Sequence, residues 1–585
     1  MILQALNDYY LRKCDDPDPA QRLPAFGLEQ KEIPFILDIN AEGELLQLRD
    51  TREQQGNRKV GQIFRVPTGV KRTVGVKANL LWDTVEYVLG VDTKGKPERV
   101  VQQHAAFRDR IQALPATAQQ DAGIRAVLRF LQQFDRTQLE RHPAWFDALE
   151  ANAIVSFRLH GEMDLVCQRP AVVQAAMNIT NDDDAPQAMC LITGEQAPVE
   201  RLHTAIKGVR GAQTSGANII SFNARAFESY GKTERQGENA PVSRAAAFAY
   251  TTALNHLLRK DSPQRMQVGD ASTVFWAERQ DPFETIFGDI FQDDPDAGAA
   301  AVAALLGAVH SGKWDGSDPE LRYHVLGLAP NAARISIRFY HCVTLRELGQ
   351  RIAQHFKDLE LARGPNDAQY PSLFRLLTAV ALQNKADNIP PNLGGAVVDA
   401  ILAGPNTPYP ALWLNAAIGR CRAERQVNYL RAAAIKACLN RQIRQAHSSH
   451  CPEKEFLPML DPSNTNAAYR LGRLFAVLEK IQEEASPGLN ATIRDRYYGA
   501  ASSTPVAVFT TLLRLKNAHL KKLPAGRVTW FEKLLGEVLS AVSDFPAHLS
   551  LPDQGRFALG YYHQRQDFFT RKPQDTSIET EGASA

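Results

Sequence analysis

Near residue 365 the hydrophobic periodicity of this 585-residue chain changes, and that change constrains the fold more than any other feature of it. Before it, PFILDINAEGELLQLRD (with a turn at Glu42-Gly43), AIVSFRL and RISIRFY (334–340) alternate apolar and polar residues, as half-buried strands do. Around them, ILQALNDYYLRK, Phe107–Ala113 and Gly123–Phe134 space apolar residues three and four apart and read as helices, while ANLLWDTVEYVLG fits either element. Beyond residue 365 strand signals vanish. Four helical segments follow, TPYPALWLNAAIGRCRAERQVNYLRAAAIKACLNRQIRQ, AAYRLGRLFAVLEKIQEEA, PVAVFTTLLRLKNAHLKKL and RVTWFEKLLGEVLSAVSDF, separated by Pro, Gly, Asn and Ser breakers. The expected fold class is α+β and multidomain. Residues 1–365 form a mixed α/β region subdivided near 165–190, residues 366–570 an all-α helical bundle, and residues 571–585 a polar tail.

Bulk composition narrows the function classes only modestly. A chain this long exceeds one core and suggests about two to four domains, and 44% hydrophobic with 23% charged residues is that of a globular protein. The net charge of +2 excludes an overall basic coat but not local basic surfaces. The cysteines at 14, 167, 190, 342, 421, 438 and 451 are odd in number and form no C-x-x-C pair, so a disulfide framework is not expected. The first residues carry no signal-peptide pattern, and no apolar run reaches about 18 residues, which points to a cytoplasmic protein with no membrane partner.

Enzyme signatures fail for mechanical reasons. Gly211 and Gly216 have the gap of a phosphate-binding loop, but Ala217 and Asn218 stand where the Lys and the Ser or Thr are needed. Gly231-Lys232-Thr233 lacks the earlier glycine, since Ala226 occupies its place. No H-E-x-x-H or G-x-S-x-G occurs. Cys190 with His203 offers two ligands where a closed zinc site needs four. The groups His447, His450, Cys451 and Asp182–Asp184, with Asp293, Asp294 and Asp296, lack metal-site spacing and read as solvated loops. Neither a catalytic residue, a cofactor nor a metal is expected.

Three clusters suit a polyanion instead. In RVPTGVKRTVGVKANLLWD, Arg65, Lys71, Arg72 and Lys77 are spaced by Gly69 and Gly75 with no acid between them, and can follow a phosphate backbone or line a solvated hairpin. From Cys190 to Leu258 the chain is glycine-rich, polar and loop-like. Lys207, Arg210 and Arg225 supply charge, and Gln213, Ser215, Asn218, Ser221, Asn223, Ser229, Asn239 and Ser243 supply uncharged donors and acceptors able to read bases, or to satisfy the loop itself. In the helical segment 410–447, Arg420, Arg422, Arg425, Arg431, Lys436, Arg441 and Arg444 stand against Glu424 alone, an imbalance that favours an anionic partner over a solvated face.

The stretches CLITGEQAP, RLHTAIKGV, GAQTSGANIISFNARAFESYGK and NAPVSRAAAFAYTTALNHLL resemble the large subunit of the type I-C CRISPR surveillance complex, Cascade. So do VKRTVGVKANLLWD, LGLAPNAARISIRFY and GRFALGYYHQRQDFF, in the same order along the chain. The resemblance implies a subunit that is not a nuclease. It implies binding beside the crRNA 5′ handle, recognition of the protospacer-adjacent motif in target double-stranded DNA, help in opening it, and guidance of the displaced non-target strand. It further implies contacts with the handle-binding, backbone and small subunits of Cascade and with a nuclease-helicase recruited after R-loop formation. A helical bundle resembling the small subunit, also made from an internal start, is implied too; Met459 is the candidate start. Carried onto this sequence, the resemblance assigns Lys71, Arg72, Lys77 and Asn79 to handle or duplex contacts. It assigns Gln213, Ser215, Asn218, Ser221 and Asn223 to motif reading, and Lys207, Arg210, Tyr230 and Lys232 to phosphates or bases. Arg420 and Arg425 are the candidates on the basic helix. The competing readings are a DNA-cleaving or nucleotide-dependent remodelling enzyme with dispersed active-site residues, and a protein scaffold with incidental basic faces.

Overall fold

Leu28–Ile33 (β1), Phe35–Ile39 (β2), Leu45–Asp50 (β3), Glu53–Gln55 (β4), Arg58–Val60 (β5), Gln62–Pro67 (β6), Trp82–Thr84 (β7) and Ile154–Leu159 (β8) are the main strands of the first half in a computed structural model of the protein. The structure describes all residues except 19–20, 56–57, 71–74, 180–185, 233–235, 269–270, 285–286, 289–294, 315, 447–452 and 570–585. Two units are present: residues 1–204 with 220–254, and residues 205–219 with 255–585.

In the first unit, β2 is, with β8, one of the sheet's two interior strands. All five of its residues are buried, β3 pairs with it antiparallel and β8 parallel, and β7 extends the sheet in the order β3-β2-β8-β7. Its one charged member, Asp38, is tolerated because Arg158 on β8 donates two hydrogen bonds to it, each 2.8 Å. The β2–β3 turn contains Gly43 at φ +86°, where a Cβ would stand 2.6 Å from Phe130 N, so glycine is required there. Helices Pro97–Gln112 (α1) and Ala122–Gln133 (α2) bury Phe107, Ile111, Ile124, Val127 and Phe130 in the core that the sheet shares. Asp121 caps α2 through Gly123 N–H and Ile124 N–H and also receives Arg169. ANLLWDTVEYVLG supplies both a strand, β7, and the short helix Val85–Leu89.

Strands Arg265–Val268 (β9), Ala271–Ala277 (β10), Arg322–Asn331 (β11) and Arg334–Thr344 (β12) form an antiparallel meander in the second unit. After Thr344 the described residues hold helices and turns only. They include Leu345–Leu359 (α3), Ala411–Glu424 (α4), Tyr429–Ala446 (α5), Ala467–Ala485 (α6), Ile493–Ala501 (α7), Pro505–Leu520 (α8), Ala525–Leu539 (α9) and Leu551–Asp567 (α10). The α+β class expected from periodicity is therefore observed, a mixed half with small sheets and a C-terminal region of helices packed together. One core runs from Met266 on the meander to Tyr562 on α10. Thr344 and Glu347 form a capping box that starts α3 where the last strand stops. The long segment expected at 407–445 is broken into α4 and α5 at Arg425, which adopts φ +55°. Helices α6 and α10 cross at two glycines: a Cβ at Gly472 would run into Phe557 O, and one at Gly560 into Tyr469 O. None of the described helices is long and apolar enough to cross a membrane.

Candidate nucleic-acid interface

Residues 205–219 fold back on themselves because their apolar members plug the second unit while their polar members are left outside. Ile206, Val209 and Ala217 are buried; Lys207, Arg210, Gln213 and Ser215 are exposed. Ile206 and Ala217 exchange backbone hydrogen bonds of 2.8 and 2.9 Å and close the loop. The turn needs positive φ at Gly208, Gly211 and Gly216, and at Gly216 a Cβ would meet Ala205 Cβ and Ile206 O at 2.9 Å.

Groups from outside the loop hold its backbone. The Asn255 side chain accepts from Lys207 N–H (2.8 Å) and donates to Ala205 O (3.2 Å). Ser272 Oγ accepts from Arg210 N–H (3.0 Å), and the Arg265 guanidinium donates to Gly208 O (2.9 Å) and Leu258 O (3.1 Å). Asn218 O accepts from Ile335 N–H, so the loop's end pairs alongside β12 at Arg334. The bracing thus falls on main-chain groups. The side chains of Lys207, Arg210, Gln213 and Ser215 stand outside, while Asn218 is half-buried. Sequence reasoning missed the braces Asn255, Arg265 and Ser272, whose only signal was their polarity beside a strand and at a helix end.

The first unit carries the other part of the polar stretch. The stretch is not loop throughout, since Arg244–Leu257 is a helix. Tyr230 is 95% exposed at φ +53°, followed by Gly231 at φ +70°. Beneath it, Ser229 N–H donates to Asn239 Oδ1 (3.0 Å), and Asn239 Nδ2 donates to Lys232 O and Gln236 O. Lys232 serves this brace: it is half-buried and its Nζ donates to Glu238 O (2.7 Å). Ser221 is half-buried, and Asn223, Arg225 and Phe227 are exposed.

In the amino-terminal cluster, Lys71 and Arg72 lie outside the described residues, and Lys77 is exposed. Asn79 is buried and braces its loop, its side chain accepting from Val70 N–H (3.0 Å) and its own N–H donating to Asp83 (2.8 Å). His447, His450, Cys451 and the acidic groups 182–184 and 293–294 lie outside the described residues, as Asp296's side chain does. Cys190 is buried. Burial raises its pKa, but hydrogen bonds from the Ser243 hydroxyl and from the Ser243, Thr193 and Ile192 N–H groups outweigh that and bring the thiol to about 7. No group of three or more metal-ligating side chains gathers among the described residues.

The basic helix corrects the reading of charge. Arg431, Lys436 and Arg441 are at most 2% exposed and face inward, and Arg444 is largely covered. Arg431 pairs with Glu424 and donates to Ala379 O. Arg441 meets Asp358 and the carbonyls of Ala400, Gly404 and Thr407, with its guanidinium 3.9 Å from the Tyr409 ring centroid. Arg444 joins Asp358 to Glu455. Burial pushes Lys436 down to about 8 as its Nζ donates to Asp358 O. Of the seven, Arg422 and Arg425 are exposed and Arg420 is half-buried, lying 3.9 Å from Glu424, while partly covered Arg444 is held by its two carboxylates. A cationic surface that sequence reasoning did not single out lies instead on α8, α9 and the turn between them, where Arg514, Lys533, Lys521 and Lys522 are exposed; the run NAHLKKL was its signal.

The structure therefore groups Lys207, Arg210, Gln213, Ser215 and Asn218 on one braced loop, and Ser221, Asn223, Tyr230 and Lys232 on another segment in the other unit. Arg420 and Arg425 stand on α4 and at its end. The model of the family described as CRISPR-associated protein (Cas_Csd1) matches residues 6–569, and no curated protein matches.

Proposed function

Because the chain belongs to the Cas_Csd1 family of CRISPR-associated proteins, the large subunits of type I-C Cascade, we propose that it recognises the protospacer-adjacent motif in duplex DNA without chemistry of its own. The loop 205–219 carries this reading. It is a rigid turn whose backbone polar groups are used internally while two cations, an amide and a hydroxyl are presented outward. Lys207 and Arg210 take duplex phosphates, contributing affinity through counterion release, and Gln213 and Ser215 meet base edges. On the first unit, and independently of this loop, Asn223 offers an amide to a base edge and Tyr230 an aromatic face on which an unpaired base stacks. Guide RNA pairing then reads the remaining sequence.

The same reading assigns the crRNA handle to Lys77 with Lys71 and Arg72, and gives Asn79 the task of holding that loop. Arg420 and Arg425, with the exposed cations of α8 and α9, guide the displaced strand. Met459, 64% exposed in the segment before α6, is the start of a separate small subunit containing α6 to α10. The handle-binding, backbone and small subunits and the nuclease-helicase are the protein partners.

The test is affinity for motif-bearing and motif-scrambled duplex, measured on Cascade assembled with this chain. Gln213→Ala with Ser215→Ala is expected to reduce the ratio of the two affinities, while Lys207→Ala lowers both equally. A ratio unchanged in the former and reduced by Arg420→Ala moves the reader to α4. Cleavage of duplex by the purified chain with magnesium or manganese would refute a subunit without chemistry.

A further inference from the structure

The second unit holds a cavity of about 320 Å³, and none of its lining residues belongs to the interface above. Its walls include the rings of Phe356, Tyr370 and Tyr429, and at its exposed rim stand Glu360, Arg363 and Gln369. That volume lies at the lower end of about 300–1,000 Å³ for small-molecule sites.

The walls are fixed before any ligand arrives. Tyr429 OH donates to Ala368 O (3.1 Å), Gln369 Nε2 to Tyr370 OH (3.1 Å) and Arg363 to Asp367 O (3.2 Å). Ala362 N–H reaches Pro458 O (2.7 Å), and Tyr562 OH donates to Ala362 O (2.8 Å), so the segment bearing the rim is tied at both faces. Phe356 and Tyr370 meet edge-to-face at 5.5 Å, which locks the ring orientations.

Aromatic walls stack a flat ring, an exposed guanidinium donates to a phosphate, and a carboxylate accepts from an exocyclic amino group. An apolar ligand would leave Arg363 and Glu360 unmatched, and a bare anion would leave the rings unused. We propose that this cavity takes a single unstacked nucleotide, its base against Tyr370 and Tyr429, its amino group at Glu360 and its phosphate at Arg363. Where that nucleotide belongs to a strand, the inference rests on the nucleic-acid reading above; a free mononucleotide presents the same chemistry.

Full-length protein is titrated with adenosine 5′-monophosphate by equilibrium dialysis and with a labelled single-stranded oligonucleotide by anisotropy. Tyr370→Ala is expected to weaken binding about tenfold, and Tyr370→Phe less than about twofold. Ala353→Phe, which fills the cavity without removing a wall, reproduces the loss. One abasic position in the strand should cost the wild type the same factor and cost Tyr370→Ala nothing. A strand effect alone assigns the site to an extruded base, and saturable monophosphate binding alone to a free nucleotide. Binding of neither, or binding of both unchanged in Tyr370→Ala and Ala353→Phe, overturns the proposal. Duplex recognition is read separately on Lys207→Ala, so either idea can fail while the other stands.

Discussion

Arg441 Nε and Asp358 Oδ2 lie 3.1 Å apart, and their side chains are 0% and 1% exposed. Asp358 also accepts from Arg444 and Gln354, and although burial raises its pKa, those bonds hold it below the ordinary carboxylate range. Removing its charge leaves Arg441 buried without its counter-ion. Asp358→Asn is expected to lower stability by about 3–5 kcal/mol in urea unfolding. Because the folded pKa is depressed, this stabilisation is complete above the unfolded pKa of about 3.9 and is lost as pH falls through the folded value. The variant should therefore show a shallower acid limb.

Two buried histidines act in the same direction at milder pH. Burial pushes both His355 and His563 down to about 3, and their Nδ1 atoms meet Tyr409 OH and Tyr469 OH. Between about 6.5 and 3 the unfolded chain binds these protons and the folded chain does not, so stability falls as pH falls. Each histidine accounts for a loss of about 2 kcal/mol at pH 5 relative to pH 7. Unfolding midpoints of His563→Gln at the two pH values should differ less than those of the wild type.

The α6–α10 crossing depends on the absence of a side chain at two positions. Gly472→Ala would place a methyl on Phe557 O, forcing the helices apart within a closely packed region. A loss of about 1–3 kcal/mol is expected. Gly499→Ala, where a Cβ meets nothing within 4 Å, is the control and should be neutral or slightly stabilising.

Loop 205–219 separates charge from scaffold. Arg210→Ala removes an exposed side chain while its braced N–H to Ser272 remains, so the thermal midpoint should hold as duplex affinity falls. The slope of log affinity against log salt should decrease by about 1. Gly216→Ala is expected to weaken binding through the loop instead, since positive φ and the Ala205 and Ile206 contacts oppose a Cβ there.

Legibility along the chain followed how one-sided each element's surroundings are. Arg334–Thr344 was read from alternation because buried Ile335, Phe339 and Val343 are separated along it by exposed Ile337, Arg338 and Cys342. Ile154–Leu159 was read the same way although Val155, Ser156 and Phe157 are all buried, because its polar Ser156 and Arg158 keep the period in the sequence. Leu551–Asp567 was not, because Phe557–Gln564 are all buried and such a helix has no polar face to give it a period. In the loop, Lys207, Arg210 and the glycines could be recognised locally. Asn255 and Ser272 could not, since they act on residues 48 and 62 positions away.

Sequence alone determined the change from a mixed α/β half to a helical one, the family, and the presence of amides and cations on a glycine-bent turn, all of which are properties of neighbours in the chain. Tertiary structure decided which cations meet solvent. Seven basic residues near 410–447 looked like one charged face, yet Arg431, Lys436 and Arg441 turned inward. A charge in a sequence has no direction until a partner supplies one. For Arg441 that partner is Asp358, 83 residues earlier, and the fold that buries both makes the pair structural while the cations of loop 205–219 remain exposed.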